Sequence, residues 1–154
     1  MKLQFLSLIH KATRQIGLRL ETPCAELGLD PGEGHLISYL QSYGPCPIAE
    51  LHRVLGYKPS TLTSVLDRLS AQGLLRRLPH PRDRRSFLIE LTREGRSVAA
   101  AIQRMLEALE ARIRSRVGRA EIAGFRAVMS AIDQVTGVEV RARESARETP
   151  KEKK

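Results

Sequence analysis

The segment between residues 48 and 91 constrains the fold more than any other part of the sequence. Apolar side chains recur there at helical spacing in two short stretches, at about 48–55 and 59–72. Gly56 and Pro59 stand between the stretches, and glycine suits the end of a helix as proline suits the first turn of the next. The pattern therefore predicts two helices joined by a tight turn.

The residue pattern changes from helical to alternating at residue 75. Residues 86–91 alternate between the two faces of a strand, and 75–78 form a second strand-like run. The turn-rich segment 79–85 joins them, and five arginines lie between Arg76 and Arg85. Two helices with a tight glycine-containing turn, followed by a basic hairpin, are typical of a winged helix-turn-helix.

The second of these helices has two contrasting faces on a helical wheel. The inner face is apolar and consists of Leu62, Val65, Leu66 and Leu69. The outer face is short and rich in hydroxyl groups, and it carries Ser60, Thr61, Thr63, Ser64, Asp67 and Arg68. A helix that enters a DNA major groove needs short side chains there, and Ser and Thr can bond bases or phosphates. The alternative is a solvated surface helix, but such helices favour Glu, Lys and Gln, which this face largely lacks.

The positive charge of the chain is concentrated in the same region. The chain has a formal net charge of +9 and a pI of about 10.2. Residues 58–93 hold eight basic and three acidic residues, which is a net charge of +5 in under a quarter of the chain. Such a concentration fits phosphate or an A·T-rich minor groove better than an ordinary polar loop.

Amphipathic helical patterns precede this region. The first covers 3–20 and is predicted to end before Pro23, because proline disfavours helical geometry at the residue before it. The next covers 31–43, with Asp30 as its N-cap and Pro31 at its first position.

Two further helices are predicted after the hairpin, a long one over 93–117 and a last one over 120–136. The apolar stripes on 3–20 and 120–136 exceed what a small winged domain can cover, which predicts a two-fold dimer. The fold class is therefore mainly α with a small β-hairpin wing, a winged helix-turn-helix domain with N- and C-terminal dimerisation helices. The predicted organisation is a domain at 1–137, with a DNA-binding core at about 31–92 and dimerisation helices at about 3–20 and 93–136, and a charged, disordered tail at 138–154.

Four short motifs together resemble the MarR family of transcription regulators. They are Pro-Ser-Thr-Leu-Thr-Ser-Val-Leu-Asp-Arg-Leu at 59–69, Gln-Gly-Leu-Leu-Arg-Arg at 72–77, Pro-Arg-Asp-Arg-Arg at 81–85 and Leu-Thr-Arg-Glu-Gly at 91–95. The flanking helices match in number and order, so the resemblance covers about 3–137. It implies a homodimer that binds a pseudo-palindromic operator in double-stranded DNA, with recognition helices in successive major grooves and wings in the flanking minor grooves.

The resemblance also implies which residues face DNA. The predicted DNA-binding residues are Lys58, Ser60, Thr61, Thr63, Ser64 and Arg68 on or beside the recognition helix, and Arg82, Asp83, Arg84 and Arg85 on the wing. Asp83 is expected to hold the Arg85 guanidinium in a fixed orientation. Lys58 departs from the family, because many members have a serine N-cap there; either the cap is lost or the lysine serves a phosphate.

The expected function is a repressor released by a small-molecule effector. The resemblance implies an effector pocket lined by 1–20, 31–43 and 59–72, and the net charge favours a small anionic aromatic ligand. Two alternatives stay open, a redox-sensing regulator switched through Cys24 and a winged-helix protein-interaction module that does not bind DNA. The chain shows no catalytic constellation, metal-ligand spacing, cofactor motif or membrane-spanning run, so we expect a cytoplasmic protein that is not an enzyme.

Overall fold

The structure is a computed structural model in which residues 3–137 are described, apart from the side chains of Arg84 and Arg85. The predicted tail at 138–154 lies outside the described residues. The described residues fall into two compact units, which meet in sequence between Glu110 and Ala111. The elements in chain order are α1 (Leu6–Glu26), α2 (Pro31–Tyr43), β1 (Cys46–Pro47), α3 (Ile48–Leu55), α4 (Pro59–Ala71), β2 (Leu75–His80), β3 (Asp83–Leu91), α5 (Arg93–Arg114) and α6 (Arg119–Thr136).

The predicted fold class is confirmed within the described residues. Six helices accompany a three-stranded antiparallel sheet in the order β1-β3-β2, whose β2–β3 hairpin is the predicted wing. The core of the first unit is made of buried side chains from α2, α3, α4, the sheet and the start of α5, including Leu36, Leu51, Leu66, Ile89 and Ile102. This core fixes α4 from behind and leaves its other face to solvent.

The first helix is longer than predicted. α1 continues through Pro23 to Glu26, so the prediction that proline ends the helix is wrong. Proline removes one backbone donor from the helix interior. Packing of the last turn offsets that loss, because Cys24 is 1 % exposed and belongs to the core.

The second helix begins with the predicted cap and adds a reciprocal hydrogen bond. The Glu33 backbone N–H donates to Asp30 Oδ1 at 2.9 Å, and the Asp30 backbone N–H donates to Glu33 Oε2 at 2.9 Å. Pro31 occupies the first turn as predicted. This capping box satisfies two backbone donors that the helix start would otherwise leave without partners, and it fixes both carboxylates.

The helix-turn-helix forms at the predicted positions. α3 ends at Leu55, and Gly56 follows with φ +66°, a left-handed conformation that glycine adopts without steric cost. α4 begins at Pro59 after Lys58, whose backbone is extended and whose side chain makes no capping hydrogen bond. The structure therefore lacks a side-chain cap at Lys58, which is the first of the two possibilities that the sequence left open.

The wing has longer strands and a shorter tip than predicted. β2 runs to His80 and β3 starts at Asp83, so the predicted loop at 79–85 is mostly strand and the turn is reduced to Pro81 and Arg82. A register shift between Pro79 and His80 allows pairing to continue past the proline. The short strand β1, which pairs with β3, was not predicted, because two residues give no periodic signal.

The last helices agree with prediction except at one end. Thr92 caps α5: the Gly95 backbone N–H donates to Thr92 Oγ1 at 3.0 Å, and that hydroxyl donates to the Gly73 carbonyl at 2.6 Å. α5 ends at Arg114 rather than at the predicted residue 117. α6 contains no buried residue. Among the described residues, no helix has the length and apolar content required to cross a membrane.

Candidate nucleic-acid interface

The exposed face of α4 carries the predicted short side chains. Lys58, Ser60, Thr61, Thr63 and Ser64 are all exposed. The four apolar residues assigned to the inner face are all buried: Leu62, Val65, Leu66 and Leu69. The predicted division of this helix is therefore confirmed, and its first two turns present hydroxyl groups to solvent on a rigid apolar base.

Two of these hydroxyl groups have their hydrogen atoms engaged with the helix itself. Thr63 Oγ1 donates to the Pro59 carbonyl at 3.0 Å, and Ser64 Oγ donates to the Ser60 carbonyl at 3.0 Å. Such bonds fix the side-chain rotamer and leave the oxygen lone pairs directed outward. In this state each hydroxyl presents an acceptor to an approaching partner.

The structure places Arg68 apart from the other predicted DNA contacts. Its Nη2 atom lies 2.5 Å from Oε1 of Glu33, in the first turn of α2, and 3.2 Å from Oδ2 of Asp30, the N-cap of that helix. The ion pair with Glu33, followed by that with Asp30, raises the pKa of Arg68 further above its ordinary value. Its side chain is 54 % exposed, but its charge is directed to α2.

Asp67 and the arginines at the start of β2 form further ion pairs. Arg77 Nη2 lies 2.5 Å from Asp67 Oδ1, and Arg76 Nη2 lies 2.6 Å from Glu90 Oε2. These two arginines therefore have their charge balanced within the protein. Of the five arginines in the basic segment, the three beyond residue 80 remain candidates for an external anion.

The tip of the wing brings Arg82 and Asp83 to the surface. Both are exposed, and the Arg82 backbone N–H donates to His80 Nδ1 at 3.3 Å, which stabilises the turn. The side chains of Arg84 and Arg85 are not described, so the expected role of Asp83 in orienting Arg85 stays a prediction.

Sequence reasoning missed Glu33 and Tyr57 beside this face. Glu33 is 2 % exposed, and its place three residues after an N-cap aspartate was the available signal. A side chain at Gly32 would collide with the Tyr57 hydroxyl, which shows how closely the helix-turn-helix approaches the start of α2. Burial raises the pKa of the Tyr57 phenol, and the Asp30 and Glu33 carboxylates raise it further.

A cavity of about 380 Å³ lies between α1, α2 and α5 in the first unit. Its lining residues are Thr13, Ile16, Gly17, Leu20, Cys24, Pro31, Gly32, Gly34, His35, Ser38, Ile102 and Leu106. The expected contributions from 1–20 and 31–43 are present. The expected contribution from 59–72 is absent among these described residues, because α5 supplies the remaining wall.

The polar groups of the cavity are uncharged. None of the described residues that line it is Lys or Arg. His35 is exposed as a residue, but desolvation of its imidazole lowers its pKa, which favours the neutral form. Ser38 Oγ is buried and has no hydrogen-bond partner within the described part of the chain.

Cys24 is a packed side chain in the wall of this cavity. Burial raises the pKa of its thiol, and the negative charge of Asp30 raises it further. A Cβ atom at Gly34 would lie 2.9 Å from Cys24 Sγ, so the thiol is closely packed against α2. A reactive cysteine needs a lowered pKa and access to solvent, and this site offers neither.

Comparisons with known proteins agree with this fold and these motifs. The sequence model of the MarR family matches residues 29–87. The multiple antibiotic resistance protein MarR of Salmonella typhimurium is 32 % identical over 91 residues, which cover 59 % of this chain and 63 % of that protein. The match thus spans less than two thirds of that relative's length.

Solved structures extend the likeness of the fold to most of the chain. The S. aureus MepR–DNA complex has a TM-score of 0.73 at 16 % identity and covers 90 % of this chain and 100 % of that one. A MarR mutant from E. coli complexed with operator DNA has a TM-score of 0.70 at 22 % identity and covers 84 % of this chain and 94 % of that one. Motifs, sequence match and fold agree: residues 29–87 match the MarR family, and the described chain has the fold of MarR proteins.

Proposed function

We propose that this protein is a transcription regulator, a homodimeric repressor that binds a pseudo-palindromic site in double-stranded DNA. The observation that carries the proposal is the exposed face of α4. Its first two turns display four hydroxyl side chains on a buried leucine-rich base. Short side chains let a helix axis approach the base edges, and hydroxyl groups can bond to bases or to phosphates.

The surroundings of α4 support a DNA partner over a protein partner. Lys58 is exposed at the start of the helix, where backbone N–H groups also favour an anion. Arg82 is exposed at the tip of the wing, next to two further arginines in sequence. Both relatives with similar structures named above were solved bound to DNA. The cytoplasm is the compartment in which such a bacterial regulator would act.

The proposed dimer accounts for apolar surface that each unit leaves exposed. In the N-terminal segment Phe5 is 57 % exposed and Leu8 is 65 % exposed. In α6 Phe125 is 62 % exposed and Val135 is 87 % exposed. Large apolar side chains at this exposure are typical of surfaces that a partner covers. A two-fold dimer would present two recognition helices, which is why the expected site is an inverted repeat.

Selection from a random pool of DNA duplexes tests the proposal. The protein is incubated with the pool at physiological salt, and the bound duplexes are sequenced after several rounds. We expect enrichment of an inverted repeat whose affinity exceeds that of random duplex by at least about 10³-fold, the lower end for specific binders. Enrichment of no sequence would contradict the proposal and favour the protein-interaction module.

We further propose that an uncharged small molecule occupies the cavity between α1, α2 and α5 and releases the protein from DNA. The neutral His35 and the unpartnered Ser38 hydroxyl would orient such a ligand, and the apolar walls would hold its body. The uncharged lining does not support the expectation of an anionic ligand. A panel of neutral phenols and of aromatic acids, titrated into the protein–DNA complex, distinguishes an uncharged ligand from an anionic one.

The redox alternative is tested in the same assay. Because Cys24 is buried and its pKa is raised, we expect that peroxide does not release DNA. Release by peroxide in the wild type, abolished by Cys24→Ser, would overturn the cavity mechanism.

A further inference from the structure

The Arg68 guanidinium joins α4 to two carboxylates that α2 has already fixed. Glu33 uses Oε2 to accept the Asp30 backbone N–H, which leaves Oε1 for Arg68. Asp30 uses Oδ1 to accept the Glu33 backbone N–H, which leaves Oδ2 for Arg68. Each carboxylate therefore holds the start of α2 with one oxygen and the recognition helix with the other.

The burial of Glu33 makes its ion pair with Arg68 a constraint on the orientation of α4. Its side chain is 2 % exposed, and a carboxylate in such a place requires a partner of opposite charge. The buried apolar residues behind α4 set which face of the helix points inward, and the contact of Arg68 adds a polar constraint outside that core. The ion pair adds a fixed point, because Arg68 Nη2 meets two oxygens whose positions the capping box sets.

The position of Arg68 along α4 connects this fixed point with the exposed face. Arg68 follows Ser64 by one turn, and Ser64 follows Ser60 by one turn. Residues four apart lie on the same side of a helix. Fixing the rotation at Arg68 therefore fixes the direction in which the two serines point.

We infer that Arg68 is a positioning residue, which sets DNA sequence discrimination by holding α4 to the first turn of α2 and does not contact DNA. The inference rests on the proposed function and changes the role that the sequence suggested for this arginine. A loosened α4 would still meet phosphates through Lys58 and the wing, but its serines would no longer be held against one set of base edges.

The test compares Arg68→Ala and Glu33→Gln on the selected duplex and on random duplex. Gln keeps an oxygen for the Asp30 backbone N–H and replaces the charged oxygen that faces Arg68 with an amide NH2, which cannot accept from the guanidinium. We expect both variants to lose about tenfold in affinity for the selected duplex, within the range for directly coupled side chains, and less than about twofold for random duplex. The salt dependence should stay unchanged. The double variant should lose no more than either single variant.

A direct phosphate contact by Arg68 predicts the opposite pattern. Arg68→Ala would then weaken both duplexes and lower the salt slope by about 0.9 per half-site. Glu33→Gln would strengthen binding, because it removes a negative charge near the DNA and frees the guanidinium. This result would overturn the inference. Equal losses on both duplexes without a change of slope would indicate a purely structural role and would also overturn it.

A measurement without DNA separates this inference from the proposed function. Hydrogen exchange of the α4 backbone amides is compared in the wild type, in both variants and in Arg76→Ala, whose ion pair with Glu90 does not involve α4. We expect faster exchange over 60–71 in Arg68→Ala and Glu33→Gln and no change in the control. Unchanged exchange in Arg68→Ala would overturn the positioning role even if the wild type discriminates between duplexes. Failure of the wild type to discriminate, with the exchange pattern as expected, would overturn the proposed function and leave the contact between α4 and α2 intact.

Discussion

The hydroxyl groups of Thr63 and Ser64 show how single residues prepare α4 for a partner. Each donates its hydrogen to the carbonyl one turn earlier, at 3.0 Å, and keeps its lone pairs outward. In the major groove, adenine N6 and cytosine N4 are the amino donors that match an acceptor. A side chain already held in one rotamer also loses less entropy on binding. We therefore expect the hydroxyls of this face to favour amino groups of bases over carbonyl groups.

Replacement of Ser64 by alanine tests this assignment. Ser64→Ala should cost about 1–3 kcal/mol on the selected duplex if the hydroxyl reads a base, and it should leave binding to random duplex almost unchanged. The matched control is Ser115→Ala, because Ser115 Oγ also donates to a backbone carbonyl, that of Arg112 at 2.9 Å, but lies outside the helix-turn-helix. Equal losses on both duplexes would show that Ser64 contacts phosphate instead.

For single residues, the sequence predicted the direction in which a side chain leaves its helix but not the groups that the end of a long side chain contacts. A helical wheel places each Cβ atom, so the exposure of Ser60, Thr61 and Ser64 followed directly. The Arg68 guanidinium extends well beyond its Cβ atom, and its partners lie 35 and 38 residues earlier in the chain. Such a contact depends on the packing of two helices, and residue periodicity carries no information about it.

At the scale of elements, α4 begins with a lysine where a capping side chain is expected. Lys58 has the extended backbone of an N-cap, but its side chain makes no capping hydrogen bond, so the first N–H groups of α4 lack a side-chain partner there. This arrangement weakens the helix start, and it leaves both the N–H groups and an ammonium available to a phosphate.

The variant Lys58→Ser separates stability from binding. Serine can accept a hydrogen bond from the first turn, so we expect the free energy of unfolding to rise by about 0.5–2 kcal/mol, the usual effect of a cap. Loss of the ammonium should lower the salt slope of DNA binding by about 0.9 per half-site. Chemical denaturation and a salt titration measure the two effects. A more stable variant with an unchanged slope would remove Lys58 from the interface.

The arginines of the wing should divide into two functional groups. Arg82→Ala should lower the salt slope by about 0.9 per half-site, because the exposed side chain at the tip is a candidate for phosphate. Arg76→Ala should leave the slope nearly unchanged, because Glu90 balances this charge at 2.6 Å. A salt titration of both variants on random duplex provides the measurement. Equal effects of the two substitutions would show that the ion pair opens on binding.

The predicted ends of helices and strands were correct where local sequence signals were strong. They were wrong where contacts between residues distant in sequence determine where an element ends. Caps and glycines marked the ends of α2 and α3 correctly. The extension of α1 through Pro23 depends on packing of Cys24, and the extra length of the wing depends on pairing between strands. Neither interaction is visible in a short window of sequence.

At the scale of the whole molecule, the main expectation is assembly through the apolar surface of the terminal helices. α6 exposes Phe125 and Val135, and no residue of that helix is buried within the described chain. The sequence predicted this assembly because its apolar stripes exceed what one small domain can cover. It could not predict which side chains meet, since those contacts would lie between two chains.

Sedimentation velocity tests the assembly. We expect a dimer at micromolar concentration for the wild type and a shift towards monomer for Phe125→Lys, because the substitution places a charge on the exposed apolar surface. The control Gln134→Lys changes a polar residue of the same helix and should remain dimeric. A wild-type monomer at that concentration would contradict the two-fold assembly.

The central claim is that two recognition helices of one dimer read two half-sites of one duplex. Its most direct test is the affinity of the protein for the selected site with base pairs inserted between the half-sites. Insertion of about 5 base pairs, half a helical turn, places the half-sites on opposite faces of the duplex. We predict that this insertion reduces the affinity to that of random duplex. An affinity that does not depend on the spacing would contradict the account.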